Sequence, residues 1–234
     1  MVSSRERTSS SHTWIVCDAS INMNGACKSF ETLYEIAANA ACFFAALSLR
    51  RHDSVSLLCV DGSNTVKVPQ ARNLSDFERN LDSALLNTRS HIRNTEYLIK
   101  SMQKFVDSNG LVVLITDEYA LQAHDADSLR KITQNHNLVV VTICPVNSFD
   151  KTINMHINDG ITLRRIPAFL QNDNVKKEIE NRRSIKSSAL RDMLVGVKAS
   201  LICGSSSEEI FRVSAKSVSR TNYLTESLRK EDVQ

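Results

Sequence analysis

The sequence predicts a doubly wound α/β domain: a mostly parallel sheet with one antiparallel edge hairpin strand and helices on both faces. Three observations carry this expectation. Four short runs, Trp14 to Cys17, Val55 to Val60, Leu111 to Thr116 and Leu138 to Cys144, are unbroken blocks of mostly β-branched and aliphatic residues, as strands covered on both faces must be. Segments with apolar residues at three- and four-residue steps alternate with these runs. The turn-forming Asp61-Gly62-Ser63-Asn64 returns the chain after the second run as a hairpin.

Taken in order, residues 1–11 read as a disordered lead-in, since MVSSRERTSSSH carries charge but no apolar block behind it, unlike a signal peptide. After the first strand, Phe30 to Leu49 sets Leu33, Ile36, Ala37, Ala40, Phe44 and Leu47 on one helical face. Its apolar part, Ala37 to Leu49, is too short to cross a bilayer and runs into Arg50 and Arg51. Thr65 to Val68 forms the edge strand, and Pro69 suits an edge position or an exit from the sheet. Leu74 to Leu86 and Thr95 to Val106 repeat the helical pattern, the first with Phe77, Leu81, Ala84 and Leu85, the second with Leu98, Ile99, Met102 and Phe105. A weaker helix runs from Ala126 to Gln134. The stretch from Arg164 to Arg191 holds eight Lys or Arg and three Asp or Glu, and predicts a basic amphipathic helix at about 172–194. A strand from Lys198 to Cys203 and a helix from Ser206 to Val218 complete a domain spanning 12–220. Residues 221–234 form a flexible tail.

The 234 residues, 42% apolar and 24% charged, suit one soluble domain with a full core. A net charge of +3 is too small to imply nucleic acid by itself. The six cysteines (Cys17, Cys27, Cys42, Cys59, Cys144 and Cys203) show no C-x-x-C pair and mostly lie within apolar runs. They read as buried free thiols, which places the protein in a reducing cytoplasm.

In open α/β sheets the ligand site lies at the carboxyl ends of the strands. The first strand ends in Asp18-Ala19-Ser20-Ile21-Asn22, the third long strand in Thr116-Asp117-Glu118, and Asn94-Thr95-Glu96 opens a helix. Two carboxylates with hydroxyl and amide oxygens form an all-oxygen set suited to a hard cation such as Mg²⁺. Asp18, Ser20 and Asn22 are also favoured helix caps, so capping stands beside metal binding as the alternative.

The pattern Asp18-x-Ser20-x-Asn22 resembles the D-x-S-x-S opening of the metal-ion-dependent adhesion site of von Willebrand A domains, with Thr95 and Asp117 at that family's threonine and final aspartate. More narrowly, the chain resembles the bacterial proteins called domain of unknown function fifty-eight. Arg50-Arg51-His52-Asp53-Ser54-Val55-Ser56-Leu57-Leu58 is similar to that family's RxGDxVxLL, with His52 for glycine, and LVVLITDEY to its LVVLISDF. Asn22 stands where the family has a second serine. The family's membrane spans and upstream Y-x-P-G-D…D-W segment are not in this sequence, which reads as a fragment or a reduced version. The resemblance implies metal ligands Asp18, Ser20, Asn22, Thr95 and Asp117. It also implies a non-enzymatic protein-interaction domain, an adaptor or assembly factor partnering a MoxR-type AAA+ ATPase.

Catalytic and cofactor-binding residues are not expected. Ser20 lacks a G-x-S-x-G elbow and a base, the six histidines lack metal-ligand spacing, and six glycines build no phosphate loop. Two alternatives remain: a metal-dependent hydrolase or phosphatase-like enzyme at the same strand ends, and a nucleic-acid-binding module using the basic helix.

Overall fold

Six strands form one sheet in the order β3-β2-β1-β4-β5-β6. The computed structural model describes residues 11–88, 91–107, 109–147 and 173–216. The strands are β1 His12–Asp18, β2 Ser54–Val60, β3 Thr65–Ala71, β4 Gly110–Asp117, β5 His136–Ile143 and β6 Ser200–Gly204. All neighbours pair in parallel except β2 with β3, which is antiparallel. The helices are α1 Leu33–Arg50, α2 Leu74–Leu86, α3 Thr95–Phe105, α4 Ala126–Thr133 and α5 Asp173–Gly196, followed by α6 over 207–216. The doubly wound expectation holds, and the four predicted runs are the central strands β2, β1, β4 and β5. The lead-in over 1–10, the tail over 221–234 and the Arg164-Arg165 end of the basic stretch lie outside the described residues.

Period-two alternation distributes each central strand between two cores. Ile15 and Cys17 of β1, Leu57 and Cys59 of β2, and Val113 and Ile115 of β4 pack with α1 and α2 on one face. Trp14 and Val16, Leu58 and Val60, and Val112 and Leu114 pack with α3, α4 and the end of α5 on the other. All twelve are essentially inaccessible, and each large aliphatic among them stabilises the fold by roughly 1.5–3 kcal/mol. Helix ends follow local chemistry. Thr32 and Glu35 form a reciprocal capping box on α1, and Asn73 caps α2 by accepting from the Asp76 N–H.

Chain order positions the functional edge. From β1 the chain builds outward through β2 and β3, then crosses to β4 on the other side of β1. The direction of winding therefore reverses between β1 and β4, and a crevice opens at their carboxyl ends. Asp18 ends β1 and Asp117 ends β4.

Candidate functional site

Asp18 and Asp117 flank this crevice, with side chains only 1% and 7% exposed. Asp18 accepts the Ser20 N–H on Oδ1 (3.0 Å) and the Thr116 hydroxyl on Oδ2 (2.7 Å). Asp117 accepts the Tyr119 N–H at 2.7 Å. Two buried carboxylates so close need a counter-charge. Arg93 supplies it: its guanidinium donates to Asp18 Oδ2 at 3.2 Å, to Thr116 Oγ1 at 3.3 Å and to Asp117 Oδ2 at 2.7 Å. Burial pushes the Asp117 carboxyl up to about 6 even against the Arg93 guanidinium, which pulls it down.

The loop that presents Arg93 is fixed at several points. The Arg93 N–H donates to Asn22 Oδ1 at 2.9 Å, and the Ile21 N–H donates to the His91 carbonyl at 2.9 Å. His91 also meets Asp61 of the hairpin turn at 3.2 Å. In that turn Gly62 adopts a φ of 75°, and a side chain there would collide with the Ile92 carbonyl. Glycine is thus required twice over, for its backbone conformation and for close approach. On the other side, the Tyr34 hydroxyl of α1 lies 2.8 and 2.7 Å from the carbonyls of Ala19 and Ser20, holding the chain that leaves β1.

Of the five expected ligands, three meet around Arg93: Asp18, Asn22 and Asp117. Thr95 instead donates its hydroxyl to the Ala120 carbonyl at 2.9 Å. Nor does Thr95 cap α3; Asn94 does, accepting from the Tyr97 N–H. Ser20 precedes a 3-10 turn, Ile21–Asn24, without a side-chain cap. Its hydroxyl is buried with no hydrogen-bond partner. The capping alternative for Asp18 therefore takes the form of a local bond to the Ser20 N–H, while Asn22 bonds a distant loop.

Residues arranged in this way do not fit a divalent ion. The guanidinium already bridges and neutralises the two carboxylates, and the Asn22 oxygen is engaged by the Arg93 N–H.

The sequence gives no sign of Arg93 or Tyr34 in the site, and it places Thr116 at the strand end without a role. Thr116 was adjacent to a named site residue and on the same strand end. Arg93 lay between a histidine and a helix cap in a polar loop, with no motif to distinguish it from a solvated surface charge.

The edge also carries helix α5. Arg183 pairs with Glu118 at 2.7 Å and donates to the Pro145 carbonyl at 3.1 Å, so the basic helix lies against the ends of β4 and β5. Lys186 sits over the Tyr119 ring, 5.6 Å from its centre. Three exposed apolar side chains lie in loops on this side of the sheet: Phe30 between β1 and α1 (79% exposed), Ile92 beside Arg93 (64%) and Tyr119 after β4 (43%); Leu86 of α2 and Ile185 and Val195 of α5 are exposed as well. Phe30 adopts a φ of 67°, a conformation uncommon for a bulky residue. Among the described residues, no helix is long and apolar enough to cross a membrane.

Comparison with known proteins agrees with this architecture. The chain is similar to the conserved hypothetical protein BatB from Bacteroides thetaiotaomicron, with 14% identity and a TM-score of 0.51 over 88% of this chain and 99% of that one. It is also similar to the SpRpn10 VWA domain, with 10% identity and a TM-score of 0.48 over 88% and 94%. A third similar structure is an aerotolerance-related membrane protein from Bacteroides fragilis NCTC 9343, with 12% identity and a TM-score of 0.46 over 78% and 98%. The likeness to BatB shows a shared fold. No curated protein matches the chain. A family model described as "Protein of unknown function DUF58" matches residues 1–153, which include every strand-end residue described above except those contributed by α5. The chain belongs to the DUF58 family.

Proposed function

We propose that this protein is a non-enzymatic protein-interaction domain whose contact surface is the carboxyl edge of the sheet, and that it serves a MoxR-type AAA+ ATPase as an adaptor or assembly factor in a reducing cytoplasm. The observation that carries the reading is the exposure of Phe30, Ile92 and Tyr119 in loops on the carboxyl side of the sheet, the side that also carries the polar knot formed by Asp18, Arg93 and Asp117. Exposed aromatic and aliphatic anchors around a rigid charged centre are what a protein interface uses. The identity of the ATPase comes from the family resemblance.

Binding without catalysis is supported by the state of the polar groups. The Ser20 hydroxyl has no base hydrogen-bonded to it, and both aspartates are held by Arg93, so neither is placed as a free general base. On α5, Arg182 pairs with Glu178 and Lys176 approaches Glu180. This pairing dilutes the basic face that a nucleic-acid module would need.

The test is co-purification and titration of the wild type against a MoxR-type AAA+ ATPase, together with Phe30→Asp and Ile92→Asp. Each substitution is expected to weaken binding at least about tenfold, equivalent to about 1.4 kcal/mol, with the fold intact. Unchanged binding by both variants would remove the edge from the interface. Capture of nucleic acid instead, with steep salt dependence, would favour the basic helix.

A further inference from the structure

The strand-end crevice contains a cation already, and that cation is part of the chain. We infer that the Arg93 guanidinium takes the place of a divalent ion in this site, so that the edge is assembled and charged without any metal. The inference concerns how the site is held together and goes beyond the binding role; its readouts involve no partner and fail or succeed independently of that role.

Three structural features converge on it. First, the geometry is that of a counter-ion. Arg93 is 9% exposed and bridges two buried carboxylates on adjacent strands at 3.2 and 2.7 Å. A planar guanidinium with several donors can satisfy both carboxylates and the Thr116 hydroxyl at once, which a lysine ammonium on a flexible stem would do poorly.

Second, the surrounding residues hold the arginine where it is. Asn22, placed where the family pattern has serine, uses its amide oxygen to accept the Arg93 N–H at 2.9 Å. A serine hydroxyl is shorter by the amide carbon and would not span that gap with the backbone unchanged. The Ile21 N–H secures the His91 carbonyl from the same turn. Gly62 lets the hairpin turn approach the Ile92 carbonyl, which any side chain would obstruct. The loop is therefore pinned on both sides of the residue whose charge is needed.

Third, most of the oxygens of the expected set already have hydrogen-bond partners within the chain. Asp18 Oδ1 accepts from Ser20 N–H, Thr95 Oγ1 donates to Ala120, and Thr116 Oγ1 donates to Asp18. The buried, unpartnered Ser20 hydroxyl remains. It is the one oxygen of the expected set with no hydrogen-bond partner. A divalent ion entering this crevice must displace a tethered cation and break two buried ion pairs, and removing one partner of such a pair is strongly unfavourable.

Removal of Arg93 reverses the situation. It leaves two facing carboxylates with Ser20 and Thr116 hydroxyls beside them, a hard-oxygen set that suits Mg²⁺ or Mn²⁺. The experiment is thermal melting of the wild type, Arg93→Ala and Arg93→Lys in chelator and in excess Mg²⁺ or Mn²⁺, with Mn²⁺ binding to each read directly by electron paramagnetic resonance. The wild type is expected to bind no Mn²⁺ at this site and to melt at the same temperature in both buffers. Arg93→Ala should melt lower in chelator and regain stability with either ion. Arg93→Lys should fall between the two. If Arg93→Ala does not fold in chelator, refolding in Mn²⁺ becomes the readout, and recovery there supports the inference. Failure in both buffers overturns it. A wild type stabilised by Mg²⁺, with the response abolished by Asp18→Asn, also overturns it. So does a folded Arg93→Ala that ignores both ions, because Arg93 would then be an ordinary buried ion pair.

Discussion

The Thr95 hydroxyl donates to the Ala120 carbonyl at 2.9 Å, tying the first residue of α3 to the loop that leaves β4. The neighbouring Asn94 performs the capping, through the Tyr97 N–H. The two residues therefore separate in their effects. Thr95→Ala should cost about 1 kcal/mol, the usual net worth of one hydrogen bond, and should leave the helix start intact. Asn94→Ala should cost a similar amount, about 1 kcal/mol, and fray the first turn of α3. Hydrogen exchange at the Tyr97 amide discriminates them: it should rise in Asn94→Ala and stay unchanged in Thr95→Ala.

Gly62→Ala should be damaging out of proportion to one methyl group. A left-handed backbone costs a non-glycine residue roughly 1–2 kcal/mol, and here the methyl also meets the Ile92 carbonyl. Because that carbonyl precedes Arg93, chemical denaturation should show a loss of more than about 1 kcal/mol, accompanied by amide shifts at Ile92 and Arg93. A variant with wild-type stability and unmoved amides would mean that the turn does not position the loop.

Among the cysteines, Cys203 is expected to react first with iodoacetamide near neutral pH. The hydrogen bond from Cys144, whose sulfur is 3.0 Å away, lowers the Cys203 thiol from the ordinary 9.0 to about 7. Burial raises Cys27 to about 12 and Cys42 to about 11, so these remain protonated. The labelling rate at Cys203 should rise through pH 7 and level off above it, as its thiolate fraction does. In Cys144→Ala the same rise should move to higher pH. A rate that climbs steadily to pH 9 in the wild type would show that the thiolate is not stabilised. Mass spectrometry of peptides labelled in the native state reads both outcomes, and any native disulfide would contradict the reducing-compartment reading.

Arg183→Ala should loosen only part of α5. The C-terminal half of the helix is anchored by Leu190 and Leu194 in the core. The preceding turns are held to the sheet edge by Arg183, through Glu118 and the Pro145 carbonyl. Amide exchange over 176–186 is expected to accelerate while that around Leu194 keeps its protection. Equal acceleration along the whole helix would mean that the polar contact is not what docks its first half.

Much of the architecture was legible because its signals are local. Continuous apolar blocks identified β1, β2, β4 and β5 within two residues of their ends, and α2 was predicted at its observed limits, Leu74–Leu86. The alternating faces of Ile15 and Trp14, or of Val113 and Val112, follow from strand period alone. The edge strand was drawn too short at Val68, since Pro69 looked like an exit. β3 continues to Ala71, with a register shift opposite Val55 and Leu57, because an edge position lets a residue without an N–H remain in the strand.

The sequence by itself determined the two-sided sheet, the turn at Asp61–Asn64 and the placing of Asp18 and Asp117 at strand ends, since each depends on neighbours in the chain. It did not determine what lies between those carboxylates. Arg93 is 75 residues from Asp18 and 24 from Asp117, and nothing near it in sequence announces a buried charge. Only the pairing of β1 with β4, the Asn22 contact across the crevice and the space above Gly62 bring its guanidinium to that point. Electrostatic partnership is decided by distance in space, and the fold alone sets that distance.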